Sequence, residues 1–342
     1  MNEFKKLLKR VYPDLLEQMQ QRYKIMHSVM LLQPIGRRSL VDVTKLKERT
    51  IRSEVEFLQE QNLLQTTNKG MYLTSEGKVL LEKLTPKMKE FSGINKLETA
   101  LKEKLGVEYI IIVPGDSDRH EWIKYEMGKA CVHYLKNILL PDSIIAVTGG
   151  TTIAAIADAM VPIHEENNYV FVPARGGIGE EVEHQANTIA AKMAHKTNGK
   201  YRMLFIPDIL SEQSYETMMK EPSIHEILQQ IKGANIVLHG IGNALTMAKR
   251  RNTPTETMEQ LEKGNAVSEA FGYYFDDKGQ IVHKIYKIGI QLDDLRDKNH
   301  VIAVAGGSSK AKAIASYFKK GKSNMLITDE AAASQLLRDS SL

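Results

Sequence analysis

The stretch "SIIAVTGGTTIAAIADAM", residues 143–160, joins an apolar run (Ile144, Ile145, Ala146, Val147) to a Gly149-Gly150-Thr151-Thr152 turn and then to an Ala-rich segment. The order reads as a strand, a tight turn and a helix. An apolar run without alternation is buried on both faces, as strands of a parallel sheet are. Glycines at the turn let the backbone approach another group closely. The two hydroxyls fall where the first amides of a helix lack intrahelical partners. Such a helix start favours an anion, with phosphate the commonest.

Similar runs recur on either side. Residues 108–115, 169–177, 201–208, 234–242 and 301–309 are apolar, most end in Gly-rich turns, and helical segments separate many of them. Strands alternating with helices predict an α/β fold with a doubly wound, mostly parallel, Rossmann-like sheet. Ligands of such sheets bind beyond the carboxyl ends of the strands, where the strand order reverses. "IAVAGGSSKAKAIASYF", residues 302–318, repeats the pattern of the opening stretch. The two turns together predict two anion-ready helix starts, enough for a ligand with two phosphates. Arg175 comes right after a strand run, Arg250 and Arg251 about two turns into the helix of "HGIGNALTMAKRR", and Lys310 directly after the second turn, Arg suiting bidentate phosphate contacts and Lys a point charge. Gln185 and Glu269 are candidates for sugar hydroxyls, since a site for phosphate alone has no use for a carboxylate.

The N-terminal quarter follows other rules. Residues 17–32 carry Met19, Tyr23, Met26 and Met30 at helical spacing and are stopped by Pro34 and Gly36. A short helix over 37–46 and a third over 47–64 follow, the latter with Ile51, Val55, Leu58 and Leu63 on one face. "QTTNKGMYLTSEG" then reads as two short strands around an Asn-Lys-Gly turn. Three helices and a hairpin predict a winged helix-turn-helix, whose third helix enters the DNA major groove by its N-terminal end. Arg37, Arg38, Lys47, Arg49, Thr50, Arg52 and Ser53 are the candidate DNA contacts, with Lys69 on the wing. Charge agrees: residues 1–92 hold 17 Lys+Arg against 11 Asp+Glu, so +6 of the overall +4 sits there and the remainder is −2. A basic head on a near-neutral body suits a polyanionic partner.

The boundary between the two parts is expected near residue 90, giving domains 1–89 and 90–342. Residues 75–105 are predicted to continue as helix, interrupted at Pro86 and at the "FSGI" stretch. Ile94, Leu97, Leu101 and Leu105 form a seam that either pairs with a copy of itself or packs on its own body.

Several classes are excluded. "HGIGNAL" lacks the third glycine of a dinucleotide fingerprint, there is no Walker lysine motif, and no metal-ligand spacing occurs, "HEENN" being no zinc motif. No cofactor and no metal are therefore expected. His239, at a strand end, reads as a packed core residue. The single cysteine, Cys131, permits no intramolecular disulfide, and neither a secretory leader nor a membrane span is evident; a cytoplasmic setting is expected, with no membrane partner.

With "VTGGTT", "ARGG", "HGIGNA" and "AVAGGSSKAKAI" behind a winged head, the chain resembles the SorC-type sugar-responsive repressors over essentially its whole length. The resemblance implies a repressor of a glycolytic operon whose effector is fructose 1,6-bisphosphate. It also implies a body related in fold to sugar-phosphate isomerases and glucosamine-phosphate deaminases. By the same resemblance Gly149, Gly150, Thr151, Thr152 and Arg175 hold one phosphate with Lys310 close by, Arg250 and Arg251 serve the other, and Gln185 and Glu269 meet the sugar hydroxyls. Operator DNA and the sugar phosphate are the expected partners, and a homo-oligomer, a dimer or a dimer of dimers on DNA, is the expected working form. The competing reading is a sugar-phosphate isomerase or deaminase with an appended helical domain. An enzyme of that kind needs a positioned general base. Glu269 is the only pocket candidate, and a basic head has no purpose there.

Overall fold

The computed structural model describes residues 10–44, 46–163, 168–177, 181–207, 210–296 and 298–339. It divides into two compact units, Met1–Asn95 and Lys96–Leu342.

In the first unit α1 (Pro13–Leu32), α2 (Arg37–Thr44) and α3 (Glu48–Glu60) are followed by the hairpin β1 (Leu64–Thr67) and β2 (Gly70–Leu73). The apolar spacing explains the packing. Ile25, Met26 and Val29 of α1, Leu40 of α2, and Ile51, Val55 and Leu58 of α3 meet Met71 and Leu73 of the hairpin in one core. Met19, Tyr23 and Met30 are only partly buried, so the buried line of α1 runs beside the expected one. α4 (Ser75–Ser92) opens with Thr74 capping the Gly77 amide and runs without interruption through position 86. The predicted break at Pro86 is therefore corrected, and the only break is at Gly93. α5 (Ile94–Leu105) follows.

The second unit is built on a parallel sheet of seven strands: β3 (Tyr109–Val113), β4 (Ile144–Val147), β5 (Val170–Pro173), β6 (Lys200–Tyr201), β7 (Ile236–His239), β12 (His300–Val304) and β13 (Met325–Asp329). Their order in space is β3-β13-β12-β7-β4-β5-β6, every pairing parallel. From β4 the chain winds outward through β5 and β6; from β7 it winds the other way through β12 and β13. The reversal falls between the neighbours β4 and β7. Helices α6 (Trp122–Ile138), α7 (Thr151–Ala159) and α8 (Ala186–Thr197) pack over the sheet, with Met127, Cys131, Leu135, Ile153, Ile156, Ile189 and Met193 in its main core. Burial pushes the Cys131 thiol up to about 12, a structural rather than a reactive cysteine. Two further helices, α13 (Ala311–Lys320) and α14 (Glu330–Arg338), follow β12 and β13.

A second sheet, antiparallel, joins β8 (Gly242–Asn243), β9 (Ser268–Ala270), β10 (Tyr273–Phe275) and β11 (Ile281–Lys284) in the order β11-β10-β9-β8. Helices α9 (Glu212–Met218), α10 (Pro222–Lys232), α11 (Ala244–Arg250) and α12 (Thr255–Lys263) complete the unit. All six predicted strand runs contain strands, but the run at 201–208 contributes only the end of β6. Leu101 is fully buried, Glu98 accepts from the Ile112 amide at 2.9 Å, and Lys104 donates to the Leu336 carbonyl at 2.8 Å. Of the two possibilities for the 94–105 seam, packing on its own body accounts for Leu101.

Candidate effector cleft and DNA-binding face

The reversal point between β4 and β7 carries a cleft of about 650 Å³, counting its solvent-filled mouth. Its floor is tied across the two strand ends. The Thr148 amide donates to the Leu238 carbonyl at 3.0 Å, and the Gly240 amide donates back to Thr148 Oγ1 at 3.3 Å. The Gly149-Gly150 turn then lies against the start of α8: the Gly150 amide donates to the His184 carbonyl at 2.8 Å, and a Cβ on residue 149 would stand 2.6 Å from that same oxygen. Gly150 itself has φ +113°, a region that side chains disfavour. α7 starts immediately after, and its N-cap, Gly150, has no side chain to cap it. Its first residues, Thr151, Thr152 and Ile153, line the cleft.

Nine of the ten predicted effector residues line this cleft: Gly149, Gly150, Thr151, Thr152, Arg175, Arg250, Arg251, Glu269 and Lys310. Gln185 is not among the lining residues; it precedes α8, behind the Gly149-Gly150 turn. The sequence reading missed Thr148, Gly240, Ile241, Gly242, Met247 and Phe271, all of which face the cleft. The "HGIG" run after β7 was the available signal for three of them.

The cations differ in their bonding. Arg175 follows β5, where its backbone bridges to Gly289 and the flanking pairs Gly176–Ile288 and Ile290–Ala174 fasten the segment. Arg250 ends α11 and is exposed. Arg251 is not its equivalent: its side chain is 3% exposed, pairs with Glu269 at 3.2 Å and donates to Tyr274 Oη at 3.1 Å. Glu269 also accepts from the Gly272 amide at 2.7 Å. Burial alone would raise the Glu269 carboxyl, but Arg251, Arg175 and the Gly272 amide together hold it below the usual carboxylate range. Arg251 is thus neutralised within the chain. Both Arg250 and Arg251 line the cleft, Arg250 from an exposed position and Arg251 as the counter-ion of Glu269.

The expectation of two open helix starts is also corrected. At the second turn the Gly307 amide donates to Asp329 at 2.6 Å and the Ser309 amide to Asp118 at 2.8 Å. The chain's own carboxylates already cap it. Lys310, next in sequence, reaches the cleft. Burial lowers its ammonium from the usual lysine value, Lys124 and Arg250 lower it further, and Asp118 and Asp329 oppose them.

His239 is a packed core residue, as expected. Its Nδ1 meets the Gly240 carbonyl at 3.0 Å, so that nitrogen carries the proton, and Nε2 accepts from Ser323 Oγ at 2.6 Å. Burial brings the imidazole down to about 4. Among the described residues no group of three or more His, Cys, Asp or Glu is placed to hold a metal, and no helix is long and apolar enough to cross a membrane.

In the first unit the helix-turn-helix face is built as the pattern predicts. Arg37 and Arg38 open α2, Lys47 precedes α3, and Arg49, Arg52 and Ser53 are exposed on its first two turns, with Thr50 half-buried. Ser53 donates to the Thr50 carbonyl at 3.1 Å, leaving its lone pairs for an incoming donor. Arg52 lies 3.4 Å from Glu56 in an exposed pair of little energetic weight. Lys69 is exposed at the hairpin tip. The side the sequence did not flag is the seat of α3: Glu54 is buried and accepts from Arg22 at 2.6 Å and from Gln18 at 3.3 Å. Arg22 also stacks over Phe57 at 3.5 Å.

Comparisons agree with this division. Residues 18–88 match a family described as "CggR N-terminal DNA binding domain", and residues 89–338 one described as "Putative sugar-binding domain". The chain is 50% identical over 339 residues to the central glycolytic genes regulator of Bacillus subtilis, covering 99% of this chain and all of that protein. It is 51% identical to the protein of the same name from Priestia megaterium, over 97% of each. Among solved structures, a SorC family transcriptional regulator from Enterococcus faecalis aligns with a TM-score of 0.67 at 45% identity, covering 71% of this chain and 99% of that one.

Proposed function

Because this chain belongs to the SorC family of transcriptional regulators and, within it, to the central glycolytic genes regulators, we propose that it represses a glycolytic operon and releases that repression when fructose 1,6-bisphosphate fills the cleft. The observation that carries the reading is the start of α7, whose N-cap is Gly150, opening at the strand-order reversal onto a cleft lined by Arg175, Arg250 and Lys310. Backbone amides, two hydroxyls and cations in one place suit a phosphate dianion. One phosphate binds at Thr151 and Thr152 beside Lys310; the other is met by Arg250, with Arg175 between them. Each charged hydrogen bond is worth about 1.5–3 kcal/mol, so a monophosphate that forgoes several binds orders of magnitude more weakly.

The ligand is sensed rather than converted. The cleft's one carboxylate, Glu269, is held ionised against Arg251, and His239 beneath it is locked between Gly240 and Ser323. Neither is poised to carry a proton to and from a sugar. The protein works in the cytoplasm as a homo-oligomer reading paired half-sites, as helix-turn-helix regulators do. A mobility shift on operator DNA with and without a panel of sugar mono- and bisphosphates, beside an isomerase assay, tests this. Release by the bisphosphate alone and no turnover is expected. Thr152→Ala and Arg250→Ala chains should still bind operator but respond only at much higher effector. Turnover of the sugar, or an unchanged response in both variants, would refute the reading.

A further inference from the structure

The two Gly-Gly-hydroxyl-hydroxyl turns of the second unit look alike in sequence and differ in what fills them. The loop after β3 brings Asp118 to the second. Its Oδ2 accepts from the Ser309 amide at 2.8 Å and from Ser308 Oγ at 3.4 Å, and its Oδ1 accepts from Ser309 Oγ at 2.9 Å. The approach needs Gly307: at φ +96°, a Cβ there would stand 2.2 Å from the Asp118 carboxylate. The loop is fixed on both sides of Asp118. Its own amide donates to Asp116 at 3.0 Å, and the Ser117 amide donates to the buried Asp329 at 2.8 Å. Asp329 also takes the Gly307 amide and caps α14 through the Ala332 amide at 2.8 Å. The first turn instead opens on the cleft lined by Arg175, Arg250 and Lys310.

We propose that Asp118 is the resident anion of the second turn: it holds the place that a ligand anion takes at the first, and by clasping Ser308 and Ser309 it positions Lys310 in the cleft wall and keeps it charged. The turn at 307–309 is then closed to ligand phosphate, and a second phosphate is directed to Arg250. The inference rests on reading the cleft as an anion site, but not on which sugar phosphate occupies it. The charged groups that act on Lys310 are Asp118, Asp329, Lys124 and Arg250. Removing the Asp118 charge leaves Lys310 with two cations and one carboxylate, so it loses its proton at lower pH and the cleft loses anions earlier on the alkaline side.

The test is calorimetric titration of the full chain with sulfate, a dianion throughout the range, from about pH 6 to about pH 10, below the ordinary lysine value of about 10.4. Asp118→Asn keeps size and one acceptor oxygen for the Ser309 amide but not charge; Asp118→Glu keeps charge. Thermal melts confirm that both fold. The Asn variant should show the alkaline limb displaced to lower pH, with the Glu variant's limb near that of the natural chain. An Asn variant with the natural limb, or Asn and Glu variants that behave alike, would overturn the proposal while leaving the cleft an anion site. Absence of saturable sulfate binding by the natural chain would instead remove the anion site, and both readings with it.

Discussion

At the scale of single residues, the second unit buries two ionisable groups and lowers both below their values in water. Glu269 stays ionised because Arg251 faces it; His239 stays neutral because burial disfavours its charge. Both make acid unfavourable, in separate windows. His239, near 4 folded against 6.5 unfolded, leaves the unfolded chain binding more protons between those values. Stability therefore falls as pH drops from about 6.5 to about 4, by roughly 3 kcal/mol in all. Glu269, lowered on folding, contributes stability above the ordinary carboxyl value that is lost only on going below it. Melting curves between pH 7 and 5 should thus report His239, and a His239→Gln chain should show a flatter profile there. The neighbouring arginines should also separate. Arg251→Ala strands a buried carboxylate and should cost about 3–5 kcal/mol of stability. Arg250→Ala, at an exposed position, should leave the melt nearly unchanged and weaken effector binding at least tenfold. Equal melting temperatures for the two variants would refute this division of labour.

At the scale of elements, the recognition helix is seated from behind and reads from in front. Arg22 and Gln18 of α1 hold Glu54, and Arg22 also stacks over Phe57, fixing α3 against α1, while Arg49, Arg52 and Ser53 stay outside. Arg52→Ala should weaken operator binding by about 1–3 kcal/mol if it reads a base, and leave effector affinity unchanged. Lys69→Ala should lower affinity for all DNA alike and flatten the salt slope by about one unit. Anisotropy titrations at several salt concentrations distinguish the two outcomes. The helix-turn-helix was legible because Ile51, Val55 and Leu58 repeat at helical spacing and the hairpin carries a turn signal. β13 was missed although "MLIT" is a short apolar run, because nothing Gly-rich follows it. The antiparallel sheet was missed because its strands are only two to four residues long, too short to show a period. Pro86 read as a break, but a helix already anchored at Thr74 continues through it.

At the scale of the whole molecule, an effector can alter operator affinity only by favouring one arrangement of the chain, and the coupling is reciprocal. Operator DNA should therefore weaken fructose 1,6-bisphosphate binding by the factor by which the sugar weakens DNA binding; calorimetry in the presence and absence of operator checks it. Residues 96–342 alone should bind the effector and not the operator. Light scattering should show at least a dimer, free and on DNA; monomers in both states would exclude the paired-site reading.

The sequence by itself determined the two units, the parallel sheet and nine of the residues that line the cleft, because strand-turn-helix junctions are local: the apolar run, the glycines and the hydroxyls that make one are adjacent in the chain. It also placed His239 in the core. Tertiary structure alone decided which of those groups are free to meet a ligand. Arg251 is bound by Glu269, 18 positions away, and the turn at 307–309 by Asp118, from the far side of the sequence. Charges compensate through space over a few ångströms, and which charges come that close is set by the strand order of the sheet, which no local spacing records.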